Sequence, residues 1–540
     1  MPLRLFCLLS LFLCCAFARA ADAPVVVVLA NSDDPDSLAV ARHYVKARAL
    51  PEENIIALPL PLTEQITWRE FVVTLHRPLQ AELVKRGWID AIAMDLEDDV
   101  GRRKLAVSNL HVAALVICRG VPLRIAHDAE LAEKTAKSPV VPSAMQTNAA
   151  SVDSELALLA AVDVPINGFV PNPLFANTDP DGPAKARIIP VGRLDGPTAA
   201  DARALVDRAI RAEREGLVGR AYVDIGGPHA QGDNWLRETA DELTKLGFAP
   251  DVDTAKTTFA ASARFDAPVF YFGWYDRSIS GPLKDPAFRF PVGAVAMHIH
   301  SFSATTLRNG NGPWVPSLVA RGVTLTVGNV NEPFLQFTHQ PQRLLRALAA
   351  GRPAGEAALE SLNALSWQAI LIGDPLYRPF TVSFDDQWRR LDETEAAQAS
   401  YLYLRKINLL DAEGFALKAK SQAWAALRKS PSLPVVLDLA RRQLETRDRR
   451  GTRQTLAIIS GLPNWRTQDV GLIASGARLL VEAEEAAEAV AWYKRLLDDK
   501  KLGQPVRVAL LAEAQAAARA ALDFTQAGRW EAELKGPPAP

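Results

Sequence analysis

Val25-Val26-Val27-Val28-Leu29 runs through Ala30 into Asn31-Ser32-Asp33-Asp34-Pro35-Asp36-Ser37. An unbroken β-branched run without polar alternation predicts a strand buried on both faces, as in a parallel sheet covered by helices. The Asp- and Pro-rich stretch ends that strand and starts a helix, with Leu38, Ala41, Tyr44 and Val45 at helical spacing and Pro51 closing it. Further strands are expected at residues 55–58, 89–94 and 115–118, the last closed by Gly120-Val121-Pro122. Residues 68–86 read as a helix interrupted near Pro78. This β-α-β-α-β rhythm predicts an α/β fold, a parallel sheet with helices on both faces.

The rhythm pauses and resumes. Residues 126–151 read as a polar loop or lid. Asp153-Ser154-Glu155 opens a helix with its acids at the positive end. A Pro-, Gly- and Asn-rich stretch at 165–183 marks an internal boundary. Strands are then expected at 188–191, 221–225, 269–272, 293–299, 323–327 and 369–372, with helices at 198–215 and 233–246. Beyond about residue 385 the composition turns to Ala, Leu, Glu and Arg with helical periodicity. Residues 437–460 and 472–497 look like helix-pair repeats, with Pro431 and Pro463 about one repeat apart. This resembles the tetratricopeptide pattern, and an irregular helical bundle is the alternative. The expected division is a leader at 1–20, α/β halves at 21–185 and 186–385, a helical region at 386–535 and a disordered tail at 536–540.

Charge and cysteine content narrow the function classes. Across 540 residues, 61 basic side chains balance 62 acidic ones. That balance gives no excess for phosphate neutralisation, so nucleic acid is not an expected partner. Arg4, the apolar residues 5–17 and Ala18-Arg19-Ala20 form a secretory leader with an A-x-A cleavage site, which predicts an exported, periplasmic or extracellular protein without a membrane span after cleavage. An uncleaved anchor is the alternative. Cys7, Cys14 and Cys15 leave with the leader, so Cys118 alone remains and no internal disulfide is available. In its apolar run Cys118 reads as a small core residue rather than a nucleophile.

In an α/β sheet, ligands gather beyond the C-terminal ends of the strands. That rule selects the loops around Trp274, His300, Asn329 and Asp374. His298 and His300 alternate on a strand and face one way, and Ser301 follows. Three readings stand: general base and nucleophile, a zinc pair completed by Glu332, His339 or Asp276, or packed hydrogen-bonded residues. Gly273-Trp274-Tyr275-Asp276 supplies two aromatics to wall a pocket and an acid to orient an imidazole, or else a packed turn. Asn329, Asn331 and Glu332 read as a site rim or a plain turn, and Asp153 joins the binding set. The acidic loop at 33–36 reads as a helix cap ahead of a cation site.

Ile189-Pro190-Val191-Gly192-Arg193-Leu194, with the helix ending Val206-Asp207-Arg208-Ala209-Ile210-Arg211-Ala212-Glu213, resembles gingipain-type cysteine peptidases over residues 152–380. That resemblance implies a caspase-like α/β fold with a catalytic His after one strand and a Cys after the next. Here Trp274 stands where the His falls, and residues 298–301 contain no Cys where the thiol falls. The thiolate mechanism therefore does not carry over. A wider resemblance covers most of residues 25–380. It rests on Gly120-Val121-Pro122-Leu123-Arg124, Ser151-Val152-Asp153-Ser154-Glu155-Leu156, His298-Ile299-His300-Ser301-Phe302-Ser303-Ala304, Gly328-Asn329-Val330 with Glu332-Pro333, and Gly373-Asp374-Pro375-Leu376-Tyr377-Arg378-Pro379. These segments are similar to a family of exported bacterial proteins from species with exosortase-type sorting, which implies kinship without chemistry. The expectation is a hydrolase-like domain with an altered site. Its catalytic candidates are His298, His300, Ser301, Asp276 and Glu332, and its binding residues Trp274, Tyr275, Asn329, Asn331 and Asp153. No cofactor is expected, zinc being the one metal alternative. The second reading is a non-catalytic protein that binds peptides or envelope proteins, with the helical tail as docking surface.

Overall fold

The computed structural model describes residues 24–135, 142, 145–176, 187–462 and 465–535. The expected leader with Cys7, Cys14 and Cys15, part of the expected boundary, Pro463 and residues 536–540 lie outside the described residues. The principal strands are β1 (Val25–Asn31), β2 (Ile55–Leu58), β3 (Ile89–Glu97), β4 (Arg103–Leu110), β5 (Val112–Cys118), β6 (Val191–Leu194), β7 (Arg220–Asp224), β8 (Asp251–Asp253), β9 (Pro268–Gly273), β10 (Val295–His298), β11 (Thr326–Asn329) and β12 (Ala369–Ile372).

A six-stranded sheet has the order β11-β12-β6-β5-β1-β2, and a four-stranded sheet the order β8-β7-β9-β10. β1 pairs in parallel with β2 and β5, β5 with β6, and β7 to β10 are all parallel. β11 and β12 are antiparallel. A parallel bridge from Val295 to Leu325, with Ala296 N–H on Leu325 O at 3.0 Å, carries β10 on to the start of β11. The six-stranded sheet takes β1, β2 and β5 from one side of the expected boundary and β6, β11 and β12 from the other. The two expected halves therefore share one sheet.

Burial follows the apolar run of β1. Val26, Val28 and Ala30 pack under α1 (Pro35–Ala47) and α2 (Ala199–Glu215), against Val40, Ala41, Tyr44, Leu205 and Val206. Val27 and Leu29 face the other way, with Leu115 and Ile117, onto Phe71, Leu75 and Leu79. Each such side chain contributes about 1.5–3 kcal/mol by leaving water. The helical stretch at 68–86 is not broken at Pro78. Segments Trp68–Glu70, Phe71–His76 and Arg77–Lys85 follow one another, the middle one π-helical. Pro78 lacks an N–H and its ring crowds the carbonyl four residues back, and a widened turn before it relieves both.

Strand bounds move by up to three residues at β5, β10 and β11, and two further expectations change with a clear physical reason. β3 leaves the main sheet and pairs only with β4, as an antiparallel hairpin. Ile89 is its one buried residue, while Ile92 and Leu96 are exposed, so a strand of mixed polarity has no second face to bury. β6 begins at Val191 instead of 188 and contains Arg193. A fully buried arginine is compatible with a strand interior because Asp153 pairs with it.

The C-terminal region comprises α5 (Ala396–Ala412), α6 (Ala416–Lys429), α7 (Leu433–Glu445), α8 (Arg449–Ser460), α9 (Val470–Glu482), α10 (Ala486–Leu497), α11 (Gln504–Ala520) and α12 (Phe524–Lys535). Between them the α/β body contributes α3 (Ala230–Lys245) and α4 (Trp314–Ala320). The eight helices form four consecutive pairs, where the sequence suggested two repeats. Each pair turns through one left-handed residue: Gly414 at φ 83°, Arg447 at 60°, Glu484 at 66° and Leu522 at 60°. After each, the next N–H returns to a carbonyl five residues back, from Phe415 to Leu410, Asp448 to Gln443, Glu485 to Leu480 and Asp523 to Ala518. The recurring Schellman closure makes this region a structural repeat. The array joins the body through Arg405 on Leu246 O at 3.0 Å and Asn408 on Gly247 O at 3.2 Å. Among the described residues, no helix is long and apolar enough to cross a membrane.

Three of these four turns hold a side chain where glycine is favoured. Leu522 is 75% exposed, so little packing is lost on removing it. Leu522→Gly is expected to stabilise its turn by about 1 kcal/mol, read as a higher thermal midpoint than wild type. A lower midpoint would mean that the leucine contributes more than its backbone costs.

Candidate functional site

Parallel strands bring Asp224, Gly273 and His298 into register at the C-terminal ends of β7, β9 and β10. The loop after β10 joins this edge to that of the larger sheet. Arg124 donates to Thr305 Oγ1 at 2.6 Å and to Val330 O at 3.3 Å. Leu307 N–H donates to Glu64 at 2.8 Å, and Arg308 to Asp195 at 2.6 Å. Loops distant in sequence thus meet along one edge.

His298 and His300 have different fates there. His298 is buried and lies flat on Trp314, with centroids 3.6 Å apart and planes 7° apart. Its Nε2 accepts the Asp276 N–H at 3.0 Å, so the ring proton sits on Nδ1 and is donated to the Tyr271 hydroxyl at 2.9 Å. Burial, with His300 adding to it, pushes its pKa well below the ordinary value. Both nitrogens of this buried ring are committed to hydrogen bonds, an arrangement of the packed kind. His300 is half-buried. Its Nδ1 donates to the Ser301 carbonyl, leaving Nε2 as the unprotonated nitrogen, and its ring lies 4.6 Å from that of Tyr275. Burial lowers its pKa, while the Ser301 carbonyl, Asp276 and Glu332 pull the other way.

The remaining candidates divide similarly. Tyr275 is 45% exposed beside His300. Asp276 fixes His298 through its N–H and accepts from Trp314 Nε1 at 2.9 Å through its carbonyl, while its carboxylate acts on His300 through space. Glu332 is exposed and accepts the Phe334 N–H at 2.9 Å. Ser301 is partly exposed, and among the described residues no hydrogen bond joins its hydroxyl to His300. Trp274 does not wall a pocket. It is buried, donates to Asp233 Oδ1 at 2.8 Å and lies on Gly227 and Gly232. Asn329 is buried and holds Thr338 Oγ1 at 3.0 Å, a scaffold role behind the His300 carbonyl. Asn331 accepts the Phe302 N–H at 3.1 Å through its carbonyl and so shapes the rim. Asp153 is absent from the rim: it is buried against Arg193, which also donates to Val121 O and Pro122 O at 2.9 Å. Asp374 likewise leaves the edge, held by the Tyr44 hydroxyl at 2.9 Å and Arg48 Nε at 2.6 Å.

A zinc site does not assemble from these residues. His339, one proposed third ligand, is buried with Nδ1 on Ser361 Oγ at 2.9 Å. Among the described residues, no group of three or more His, Cys, Asp or Glu side chains is placed to hold a metal. In the acidic loop Asp34 caps α1, accepting the Asp36 N–H at 3.0 Å. Cys118 is fully buried, and burial pushes its thiol pKa up, which makes it a core residue.

The sequence reading missed two parts of this edge. Phe302 and Phe334 hold left-handed backbone at φ 59° and 60°, unusual for bulky residues, and Phe302 is 45% exposed. Asp224 is 1% exposed, and its Oδ1 has no hydrogen-bond partner among the described residues. Burial pushes its pKa up to about 8, with Asp253 and Asp276 adding and the Phe259 N–H opposing. A β-carbon at Gly273 would stand 2.7 Å from the Tyr271 hydroxyl and 2.9 Å from Asp224 Cβ, so only glycine lets the two come together. The signal was an aspartate ending a strand before Gly226-Gly227.

The fold and edge define an α/β protein with a C-terminal helical region. No protein-family model, curated protein or solved structure matches the chain.

Asp224 gives this edge a pH signature. The folded protein keeps a proton there up to about pH 8, which the unfolded chain releases near pH 4. The stabilisation is full below the unfolded value and is lost as pH rises through the folded one. Asp224→Asn is therefore expected to gain on wild type as pH rises, the gap in unfolding temperature opening between about pH 5 and 8 and then levelling. A gap constant over that range would place the carboxyl near its ordinary value.

Proposed function

We propose that this chain is an exported protein that binds extended peptide, or a loop of an envelope protein, at the edge above β9, β10 and β11. Its body is read as caspase-like and its tail as tetratricopeptide-like, a peptidase-type scaffold used for recognition. The observation that carries this is the tilted Tyr275–His300 ring contact, centroids 4.6 Å apart, with both Tyr275 and Phe302 45% exposed on loops that the sheet brings together. Rigid aromatic faces beside backbone N–H and C=O groups suit an extended chain. Asp276 and Glu332 act on His300 with Arg277 opposing them, which leaves the rim a net acidic balance.

Hydrolysis is the second reading. What favours it is His300 Nε2, unprotonated and adjacent in sequence to the Ser301 hydroxyl. This reading requires Ser301 to align with that nitrogen on ligand binding.

Immobilised random peptides, probed with purified protein, separate the two readings. Tyr275→Ala with Phe302→Ala is expected to weaken binding by about tenfold or more, since buried aromatic anchors dominate such interfaces. Unchanged binding would remove the aromatic rim from the proposal. A serine-directed fluorophosphonate probe that labels wild type but not Ser301→Ala would favour hydrolysis, and equal labelling of both would remove Ser301.

A further inference from the structure

Residues 254–267 connect β8 to β9, which lie on either side of β7. A crossover between parallel strands is ordinarily a helix. This one has no regular helix or strand, and long irregular connections inside compact domains are uncommon unless functional. Its ends are anchored on the sheet. Phe265 stacks on Tyr222 at 4.4 Å, and Phe259 meets Tyr222 edge-on at 6.0 Å.

Between those anchors lies Ala260-Ala261-Ser262-Ala263-Arg264, and its partner is the helical array. Ser262 is 1% exposed and donates to Glu513 Oε1 of α11 at 2.6 Å. Glu513 is held in turn by Arg478 of α9 at 2.8 Å and the Tyr493 hydroxyl of α10 at 3.0 Å. The Ala263 carbonyl lies on Gly471 of α9 so closely that a β-carbon there would sit 2.6 Å from the oxygen. Asp266 accepts from Tyr401 of α5 at 3.0 Å, and Arg264 and Arg220 hold its carboxyl well below the usual range although burial pushes it up. Successive first helices of the pairs touch one another, α5 with α7, α7 with α9 and α9 with α11. That places the first helices on the inner face of the array, and Tyr401, Gly471 and Glu513 all belong to them.

We propose that this inner face is a peptide groove occupied by the chain's own residues 260–264, and that its occupancy controls the cover over the β7–β9 edge. The groove meets its occupant as a receptor meets a peptide: the half-buried Glu513 carboxylate takes the buried Ser262 hydroxyl, and a glycine admits backbone. Apart from Arg264, whose guanidinium pairs with Asp266 at 2.7 Å, the occupant offers small side chains that bury little apolar surface, so the hold is exchangeable. The same segment reaches the edge directly. Phe259 N–H donates to Asp224 Oδ2 at 3.3 Å, and Thr258 Oγ1 meets Ser280 Oγ at 2.6 Å, four residues beyond Asp276. A competing small-residue peptide in the groove would free the segment and loosen that cover. The significance of the cover rests on the peptide-binding reading above, whereas the grip does not.

Hydrogen exchange on the full chain tests this, with a synthetic peptide of residues 257–267 as probe. Excess peptide added to wild type is expected to speed exchange across 258–266 and 276–280 by about tenfold while the array stays protected. Ser262→Ala, which lies outside the array and leaves its helices intact, is expected to do the same without peptide. Unchanged exchange in both experiments overturns the proposal, as does loss of protection confined to the array. Faster exchange at 258–266 with 276–280 unchanged would keep the groove and overturn its control of the edge. Because none of these readouts involves Tyr275 or Phe302, a failure of the binding reading leaves the result interpretable.

Discussion

A parallel strand cannot turn back into its neighbour, and this constraint organises the molecule. Each crossover must carry the chain over a face of the sheet, so both faces are covered and the trailing loops collect at one edge. The all-apolar β1 is one consequence, with Val27, Val28 and Leu29 fully buried. The meeting of Glu64, Arg124, Asp195 and the loop after β10 is another. Arg193 locks the arrangement from inside: its guanidinium bridges Asp153 to the carbonyls of Val121 and Pro122.

That edge separates two imidazoles two residues apart. His298 ends a strand with Trp314 across its face and donor and acceptor in place, so it is a scaffold element. His300 lies beyond the last strand residue, where Tyr275 covers only part of the ring. The Trp274–Asp276 turn serves both, since its backbone fixes His298 and its aromatic and acid frame His300. Trp274 and Tyr275 are neighbours with opposite environments, one buried on glycines and the other open to solvent.

The helical array adds a second scale of organisation. Its four pairs repeat one turn geometry in spite of four different residues at the left-handed position, Gly414, Arg447, Glu484 and Leu522. Backbone hydrogen bonding sets that geometry, and the side chains tolerate it. A connection from the α/β body meets the array at Glu513, Gly471 and Tyr401, so body and tail are linked where the body lacks a helical crossover.

Strand and helix positions were legible wherever an element lies in the core, because burial imposes a period on its own residues: β1, α1, α2 and the helical tail all carry theirs. The edge was legible as a place, since loops after parallel strands converge by topology alone. Which side chains are wet there was not, because Trp274 and Asp153 read as site residues until Gly227, Gly232 and Arg193 come into contact with them. The β3–β4 hairpin escaped for the converse reason, as nothing in its apolar residues says that no second layer covers them. A sequence fixes periodicity, charge balance and chain order locally. Tertiary structure alone decided the state of His298, the buried carboxyl of Asp224 and the partner of Ser262, for each depends on a residue dozens to hundreds of positions away.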